Sequence, residues 1–568
     1  VNPDRDATIQ YNDLSGNGNN GIYVHPGGGR TIADNDLSDN DGDGVAVMGG
    51  TVTIRRNTLD GNGKHGTYLG GDTVATVSGN HVHDNTKDGV SAHTGATVVV
   101  SENSIHGNGA NGVSAGSGTV TVKSNIIVDN ADDGVWAGNG SFTVTGNTIR
   151  GSGIGGIGLW QAEARIVDNT ISGSQGSGMC IVGNSQATIV GNDVADSSWL
   201  GISVCDSTAN ITNAVVHDNA QAGIRLRYDS HAPISKCSLY DNGGLGIDLE
   251  GDGVTLNDAD DSDTGPNDLL NFPEFGAVEV NGGSATLTGT APPNSTVELF
   301  AAAPDATGYG EGKTWLRSVT ADGDGNFAVE VDVSELPVTA TATDAEGNTS
   351  EFSAYNLPPV AVALANDAET ATVEQALLAG TPVLLDASRS IDPDGDDAQL
   401  GFAWDFDSDG EVDSTEAVAE ATYTLGAHTA TLTVTDPLGA TATDTVTITV
   451  EDTTPPVVSL DAPQPSLLWP PNHKMIEGVV TGTVEEACDA QPEVDDVGAR
   501  EPLKSGSRVH ALRLAVARMQ RGRHATCGHY EGPASGVRGR WGRRHLQTVA
   551  PSAEAAGATT RPDEVARR

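Results

Sequence analysis

The first 250 residues repeat one unit eleven times, and almost every slot of the unit keeps its chemical type. Its origin is Asn12, Asn35, Asn57, Asn80, Asn103, Asn125, Asn147, Asn169 and Asn192, spaced 22 or 23 residues apart, with Ala214 and Cys237 continuing the series. Nine positions after each origin stands a glycine, from Gly21 to Gly246. The apolar slots lie at −5, −3, +2, +10 and +12: Val52, Ile54, Leu59, Thr67 and Leu69 in one unit, Phe142, Val144, Ile149, Ile157 and Leu159 in another. Apolar residues two apart mean short strands with one buried face, because side chains alternate along a strand. Three such strands cannot enclose a core alone, so successive units must stack. β-Branched pairs, frequent glycine and the short period argue against a helical solenoid.

The turn slots agree. An asparagine at the origin tolerates a left-handed bend, bonds neighbouring backbone, and can form an amide ladder from coil to coil. Slot +4 is always Gly or Asp and slot +5 always Asn or Ser, as in Asp39–Asn40, Gly107–Asn108 and Gly173–Ser174, which marks a second turn. The glycine at +9 lets the chain re-enter a strand against the adjacent coil. Runs such as Ile54 to Leu69 and Ile166 to Ile181 resemble the right-handed parallel β-helix family. The resemblance implies an all-β chain whose first 255 residues form a three-strand parallel β-helix of about eleven coils, a rod about 50 Å long at ~4.8 Å per coil. It leaves activity open, since that family includes polysaccharide lyases, hydrolases, epimerases, phage tailspikes and non-catalytic surface proteins.

Length predicts several domains in the 568 residues. A formal charge of −47 argues against nucleic acid or an anionic membrane as partner. No apolar run is long enough to span a membrane. Five cysteines do not make a disulfide framework, and Cys180 and Cys205 fall on adjacent coils two places out of register, too far apart for an easy bridge. Val1 opens partway into a coil, and a bare β-helix end is an aggregation template, so upstream coils, a cap and an export signal are expected.

Beyond the rod, residues 256–276 form an acidic loop, where Asp258, Asp260 and Asp263 are candidate Ca²⁺ ligands. It resembles the segment that closes β-helices in bacterial surface proteins. Residues 277–356 alternate as short strands, among them Thr296-Val-Glu-Leu-Phe300 and Asn326-Phe-Ala-Val-Glu-Val331, with a hairpin at Asp322-Gly-Asp-Gly325. They resemble a bacterial immunoglobulin-like sandwich. Residues 358–452 resemble a PKD domain through Leu385-Asp-Ala-Ser-Arg-Ser390, Asp392-Pro-Asp-Gly-Asp396, Phe402-Ala-Trp-Asp-Phe-Asp407 and Ala430-Thr-Leu-Thr-Val-Thr-Asp436. There Asp405, Asp407 and Asp409, with Gly410 and Glu416, match EF-hand spacing between flanks that read as strands, which makes them a second candidate Ca²⁺ site or a coincidence of spacing. Trp469-Pro-Pro-Asn-His-Lys-Met475 resembles the opening of a further surface-protein module in 453–498. Residues 500–568 then hold 14 of the 30 Lys and Arg but only 5 of the 77 Asp and Glu, and 13 of the 14 are Arg. A frameshift explains the arginine bias and the broken module together; the alternative is a genuine basic tail that binds acidic polymer. The tail 499–568 is expected to be disordered, leaving Cys488 without its partner.

The resemblance directs the search for function to the strand that follows each glycine. Its outward slots, +11 and +13, carry Tyr23, His25, Met48, Tyr68, His93, Trp136, Trp160, Arg225, Arg227 and Glu250. Flat rings stack on sugar faces, and Arg or His can bond hydroxyls and carboxylates, so Tyr23, His25, Tyr68, His93, Trp136, Trp160, Arg225 and Arg227 are candidate carbohydrate-binding residues. Arg225, Arg227, Tyr228, His231 and Lys236 make one basic cluster and Lys64–His65 another. His83 and His106 occupy one slot of adjacent coils, as a surface ladder or a metal pair. Asp132–Asp133 and Asp41/Asp43 sit in turns with a structural use. No catalytic set is identified. The expectation is a monomeric, secreted or cell-surface, non-catalytic bacterial protein that binds extracellular polysaccharide or cell-surface glycan, or mediates adhesion, with Ca²⁺ as a possible ion. The alternative is a polysaccharide lyase or epimerase, whose bases, acids and carboxylate clamp should converge near coils 9–11.

Overall fold

The computed structural model describes residues 6–454, except 94, 305–306, 377–378 and 396, together with five short backbone segments between 457 and 533. Trp469 to Met475, Cys488 and most of the basic segment 499–568 lie outside the described residues. Among the described residues every regular element is a strand or a short 3₁₀ turn. Among the same described residues no helix is long and apolar enough to cross a membrane.

The repeat folds as three parallel sheets wound into a helix of eleven coils, numbered here from the Asn12 unit to the Cys237 unit. The first sheet holds eleven strands that carry the −5 and −3 slots, such as Thr97–Ser101. The second holds nine strands around the +2 slot, such as Ser104–His106. The third holds eleven strands at +10 to +12, such as Val90–Ala92. All pair in register with the coil before and after, so each slot becomes a column along the rod. Ile32, Ile54, Leu59, Ile105, Ile149 and Ile157 are fully buried in one continuous core.

Two amide ladders run along the rod. At the origin, Asn35 Nδ2 donates to Asn57 Oδ1 at 3.0 Å, Asn103 to Asn125 at 2.9 Å and Asn169 to Asn192 at 2.9 Å. Each bond also ties down buried backbone, for Asn80 N donates to Asn103 Oδ1 at 2.9 Å. The +5 slot carries a second ladder, with Asn62 donating to Asn85 at 2.8 Å and Asn85 to Asn108 at 2.9 Å. It lapses where Ser152, Ser174 and Ser197 are too short to reach, and resumes from Asn219 to Asn242 at 2.9 Å. The slot +9 glycines are selected by space rather than by a left-handed φ. A Cβ on Gly112 would lie 2.5 Å from Ile127 Cγ2 and 2.7 Å from the Gly134 carbonyl.

Two three-stranded sheets follow, containing Ser284–Thr290 and Thr296–Ala303, and this sandwich closes the end of the rod. Phe300 and Phe352 join the rod's core, and Phe352 lies against Gly246 where a twelfth coil would lie. Buried glutamates take the N–H groups that a twelfth coil would have satisfied. Asn242 Nδ2 donates to Glu311 at 2.7 Å, Lys236 N to Glu298 at 2.9 Å, and Leu249 N to Glu351 at 2.8 Å. The last sandwich packs a three-stranded sheet, which includes Thr381–Asp386, against a four-stranded one, which includes Gly426–Thr435, with Trp404 fully buried between them.

Candidate functional site

The third sheet turns its +11 column outward as Tyr23, Ala46, Tyr68, Ser91, Ser114, Trp136, Gly158, Cys180, Ser203, Arg225 and Asp248, in continuous register. Small residues between the rings leave a recessed surface, and Ser91 and Ala46 are themselves buried. The glycines on this face are seats for rings. Cβ atoms added at Gly70, Gly138, Gly116 and Gly183 would meet the rings of Tyr68, Trp136, His93 and Trp160 at 2.9, 2.8, 2.4 and 3.2 Å. The rings therefore lie down on the sheet. Tyr23 packs edge-on to His25, with centroids 4.8 Å apart. From Tyr23 in coil 1 to Trp160 in coil 7 the face runs about 29 Å, six coil steps of ~4.8 Å.

In the first six coils the turn slot just before the glycine adds a polar column, Asn20, Asp43, His65, Asp88, Asn111 and Asp133. Asp43 N donates to Asn20 Oδ1 at 2.7 Å, His65 N to Asp43 Oδ1 at 3.1 Å, Asn111 N to Asp88 Oδ1 at 3.1 Å, and Asp133 N to Asn111 Oδ1 at 3.1 Å. Asp43 and Asp133 thus do serve turn geometry, and Asp133 Oδ1 also accepts from Gly155 N at 2.8 Å. The other Asp133 oxygen and the Cδ1 edge of Trp136 both border the space above Gly158. Burial, with Asp132 adding to it against the Gly155 bond, pushes the Asp133 carboxyl up to about 6.

At coils 3 and 4 the two columns converge. Tyr68 lies between His65 and His93, with ring centroids 5.7 and 5.8 Å away. His65 Nδ1 is 3.2 Å from Asp88 Oδ2, and the Ser91 hydroxyl donates to the same oxygen at 2.9 Å. Ser91 Oγ is also 2.9 Å from His93 Nε2. With its proton spent on Asp88, the hydroxyl accepts from His93, which fixes the Nε2–H tautomer and leaves the Nδ1 lone pair over Gly116. Burial lowers the His93 pKa, outweighing the pull of Asp88, so the ring is neutral. Burial works to raise Asp88, but the bonds from His65, Asn111 and Ser91 overcome it and hold the carboxyl below its ordinary value. A neutral imidazole, a phenol and a held carboxylate together can move protons.

The expected basic cluster is not gathered for a ligand. Arg225 Nε pairs with Asp248 at 2.9 Å, Lys236 lies over the Trp315 ring at 5.1 Å, and His231 Nδ1 meets Asn348 at 2.9 Å. Arg227 stacks over Tyr228 at 5.1 Å. His231 and Lys236 thus serve the junction with the capping sandwich. A shallow recess lined by Asp241, Asn242, Gly243 and Pro304 lies at the same junction, away from the rings. The side chains that gather on this face, His65, Tyr68, Asp88 and His93, do so at coils 3–4.

The acidic groups regroup as well. In the loop after the rod, Asp258 and Asp263 gather with Asp261, their ligand atoms within 4.8 Å of one another, and the side chain of Asp260 lies outside the described residues. In the third domain Asp405 and Asp407 gather with Asp413 instead of Asp409, whose carboxylate accepts from Glu411 N at 2.8 Å. The cluster thus takes positions 1, 3 and 9 of the twelve-residue spacing that starts at Asp405, with strands rather than helices as its flanks. The segment runs between strands Gly401–Asp405 and Val418–Tyr423, and the bridge from Trp404 to Ser414 brings Asp413 back to Asp405. Cys180 and Cys205 are free, opposite Ser203 and Val182 respectively.

Residues 1–154 and 155–262 match the family described as right handed beta helix region, 273–358 the bacterial Ig domain and 364–450 the PKD domain. The chain is a β-helix protein with Ig-like and PKD domains. No curated protein matches it. Among solved structures, the β-helix protein is similar to the A-module of Azotobacter vinelandii mannuronan C-5 epimerase AlgE4, at 16% identity and a TM-score of 0.32, covering 43% of this chain and 80% of that one. It is also similar to the enzymatically active domain of bacteriophage CBA120 tailspike protein 2, at 14% identity and a TM-score of 0.26 over 60% and 71% of the two chains. Pectate lyase Pel9A aligns at 15% identity and a TM-score of 0.25 over 44% and 71%. Likeness this low carries no argument about chemistry, which must come from the site's own residues.

Proposed function

We propose that this β-helix protein is a secreted or cell-surface protein that binds polysaccharide chains along the outward face of its third sheet, with the Ig-like and PKD domains as cap and spacer. The observation that carries this reading is the line of rings, Tyr23, Tyr68, Trp136 and Trp160, on one recessed face, three of them lying on glycine. A flat ring with an exposed face stacks on the apolar side of a pyranose, and the polar column beside it offers partners for hydroxyls. Trp160 and Tyr23 are 48% and 44% exposed, so the platform is open to a ligand at both ends. Affinity electrophoresis of the full chain through gels loaded with alginate, pectate or a glycosaminoglycan tests it. Retardation by at least one polymer is expected; free migration through all of them counts against the reading.

A second reading, a polysaccharide lyase or epimerase, is favoured by the convergence at His65, Tyr68, Asp88, Ser91 and His93. Both reactions start by removing the proton next to a uronate carboxylate, which needs a base, an acid and neutralisation of that carboxylate. His93 Nδ1 is the base this geometry offers and Tyr68 the acid. Lys64 and Lys87, which directly precede His65 and Asp88, supply positive charge in an otherwise acidic chain. Absorbance near 235 nm during incubation with the same polymers reads lyase product, and proton exchange with deuterated water reads epimerisation. Neither signal on any uronate polymer rejects this second reading and leaves the first standing.

For the clusters Asp258–Asp261–Asp263 and Asp405–Asp407–Asp413 the cation we assign is Ca²⁺, since all-oxygen ligand sets select hard ions. Melting temperature should rise with Ca²⁺ at ~1 mM, the range of extracellular modules. An unchanged melt in calcium and in EDTA would count against it.

A further inference from the structure

We propose that Asp60, His83 and Asp84, with His106 beside them, form a binding site for a divalent first-row transition metal on the flank of the rod. The site lies on the second sheet, so it is separate from the aromatic face. Asp60, His83 and His106 occupy one column of three successive coils, and Asp84 follows His83 in the turn. Asp60 Oδ1 lies 3.1 Å and Asp84 Oδ2 2.9 Å from the same atom, His83 Nδ1. A single Nδ1 proton can serve only one carboxylate well. A metal ion in its place serves both.

The spacing fits. With metal–ligand distances of ~2.1 Å, neighbouring ligand atoms stand about 3.0 Å apart in an octahedron and about 3.4 Å in a tetrahedron. A second His–Asp pair on the same sheet shows the ordinary alternative. His217 gives one nitrogen to each carboxylate, Nδ1 to Asp218 at 2.6 Å and Nε2 to Asp193 at 3.2 Å, which is how an imidazole bridges two acids without a metal. At His83 the carboxylates crowd one nitrogen and leave Nε2 out.

Further imidazoles surround the site. His106 stacks on His83 with centroids 4.8 Å apart and planes 5° from parallel, and His81 meets both edge-on at 6.2 and 6.3 Å. A nitrogen–oxygen set of this kind selects Zn²⁺, Co²⁺ or Ni²⁺ over Ca²⁺. Positions toward solvent stay open, because all the protein ligands come from one side.

Other coils supply substitutions that keep the fold. Slot +3 is serine at Ser172, and slot +4 is glycine at Gly61 and Gly107 with φ of 62° and 64°, near the 53° of Asp84. The full chain is titrated with Zn²⁺ by calorimetry and with Co²⁺ by visible absorption, beside His83→Ser, Asp84→Gly and Asp60→Asn. The wild-type chain should take one equivalent that each variant binds at least tenfold more weakly or not at all. The Co²⁺ band of that equivalent should disappear in the variants and persist in His217→Ser. Equal stoichiometry and affinity in the wild type and all three variants overturns the proposal, as does loss of that equivalent in His217→Ser alone.

Discussion

His93 and Asp133 are two titratable groups on one face whose surroundings push them toward their neutral forms. The carboxyl of Asp133 stands at about 6, so it carries a proton below that pH and loses it above. Because its folded pKa is raised, its contribution to stability is complete below the ordinary carboxylate range and is lost as pH rises through 6. Trp136 should report the change, since it borders the same space above Gly158 as the carboxylate. Tryptophan fluorescence of the wild-type chain should titrate with a midpoint near 6, and Asp133→Asn should remove that transition while keeping an acceptor for Gly155 N. An identical titration in the variant would detach the raised pKa from this site. Tyr68, His93, Trp136 and Trp160 were legible as outward residues because strand alternation fixes direction. The roles of Asp88, Ser91 and Asp133 were not, because slot +8 varies from coil to coil, polar at Asn20, His65 and Asp88 but apolar at Leu200 and Ala222, and reads as turn filler until stacking aligns it.

At the scale of one coil, the invariant glycine and the origin asparagine do different work. Asparagine extends a ladder of bonds that a lapse at Ala214 does not undo, whereas the glycine keeps two backbones in contact. Gly112→Ala would press a methyl group against Ile127 and the Gly134 carbonyl. A loss of about 1–3 kcal/mol, the usual range for overpacking, is expected in urea denaturation. A loss below about 0.5 kcal/mol, within the scatter of surface substitutions, would show that the coils can spread to admit a side chain. The coils themselves were fully legible, since eleven copies of one pattern average out local ambiguity. The second amide ladder was hidden behind its turn, because Asn or Ser at +5 is also ordinary turn chemistry.

Across the whole molecule the Ig-like domain serves as the last coil. Glu298, Glu311 and Glu351 replace the acceptors a twelfth coil would supply, and Phe352 fills the space beside Gly246. This could not be read from the sequence, because the glutamates lie 62 to 102 residues beyond the groups they cap and look like ordinary strand residues. Burial pushes Glu351 up to about 8, against the bonds from Leu249 and Thr255. A raised folded pKa means stability that is complete below the ordinary carboxylate range and is lost as pH rises to about 8. The melting temperature should therefore fall between pH 4.5 and about 8, and Glu351→Gln should flatten that decline; an equally steep decline in the variant would place its cause elsewhere. Removing the cap altogether should expose the last coil and promote end-to-end association.

The aromatic face is the central claim, and Trp136→Ala/Trp160→Ala tests it most directly when compared with Tyr11→Ala, a change at an exposed corner off that face. Dissociation constants for the polysaccharide that retards the wild-type chain should rise at least tenfold in the double variant, about 1.4 kcal/mol, and stay unchanged in Tyr11→Ala. Equal affinity in the wild-type and double-variant proteins would contradict a binding surface built from these rings.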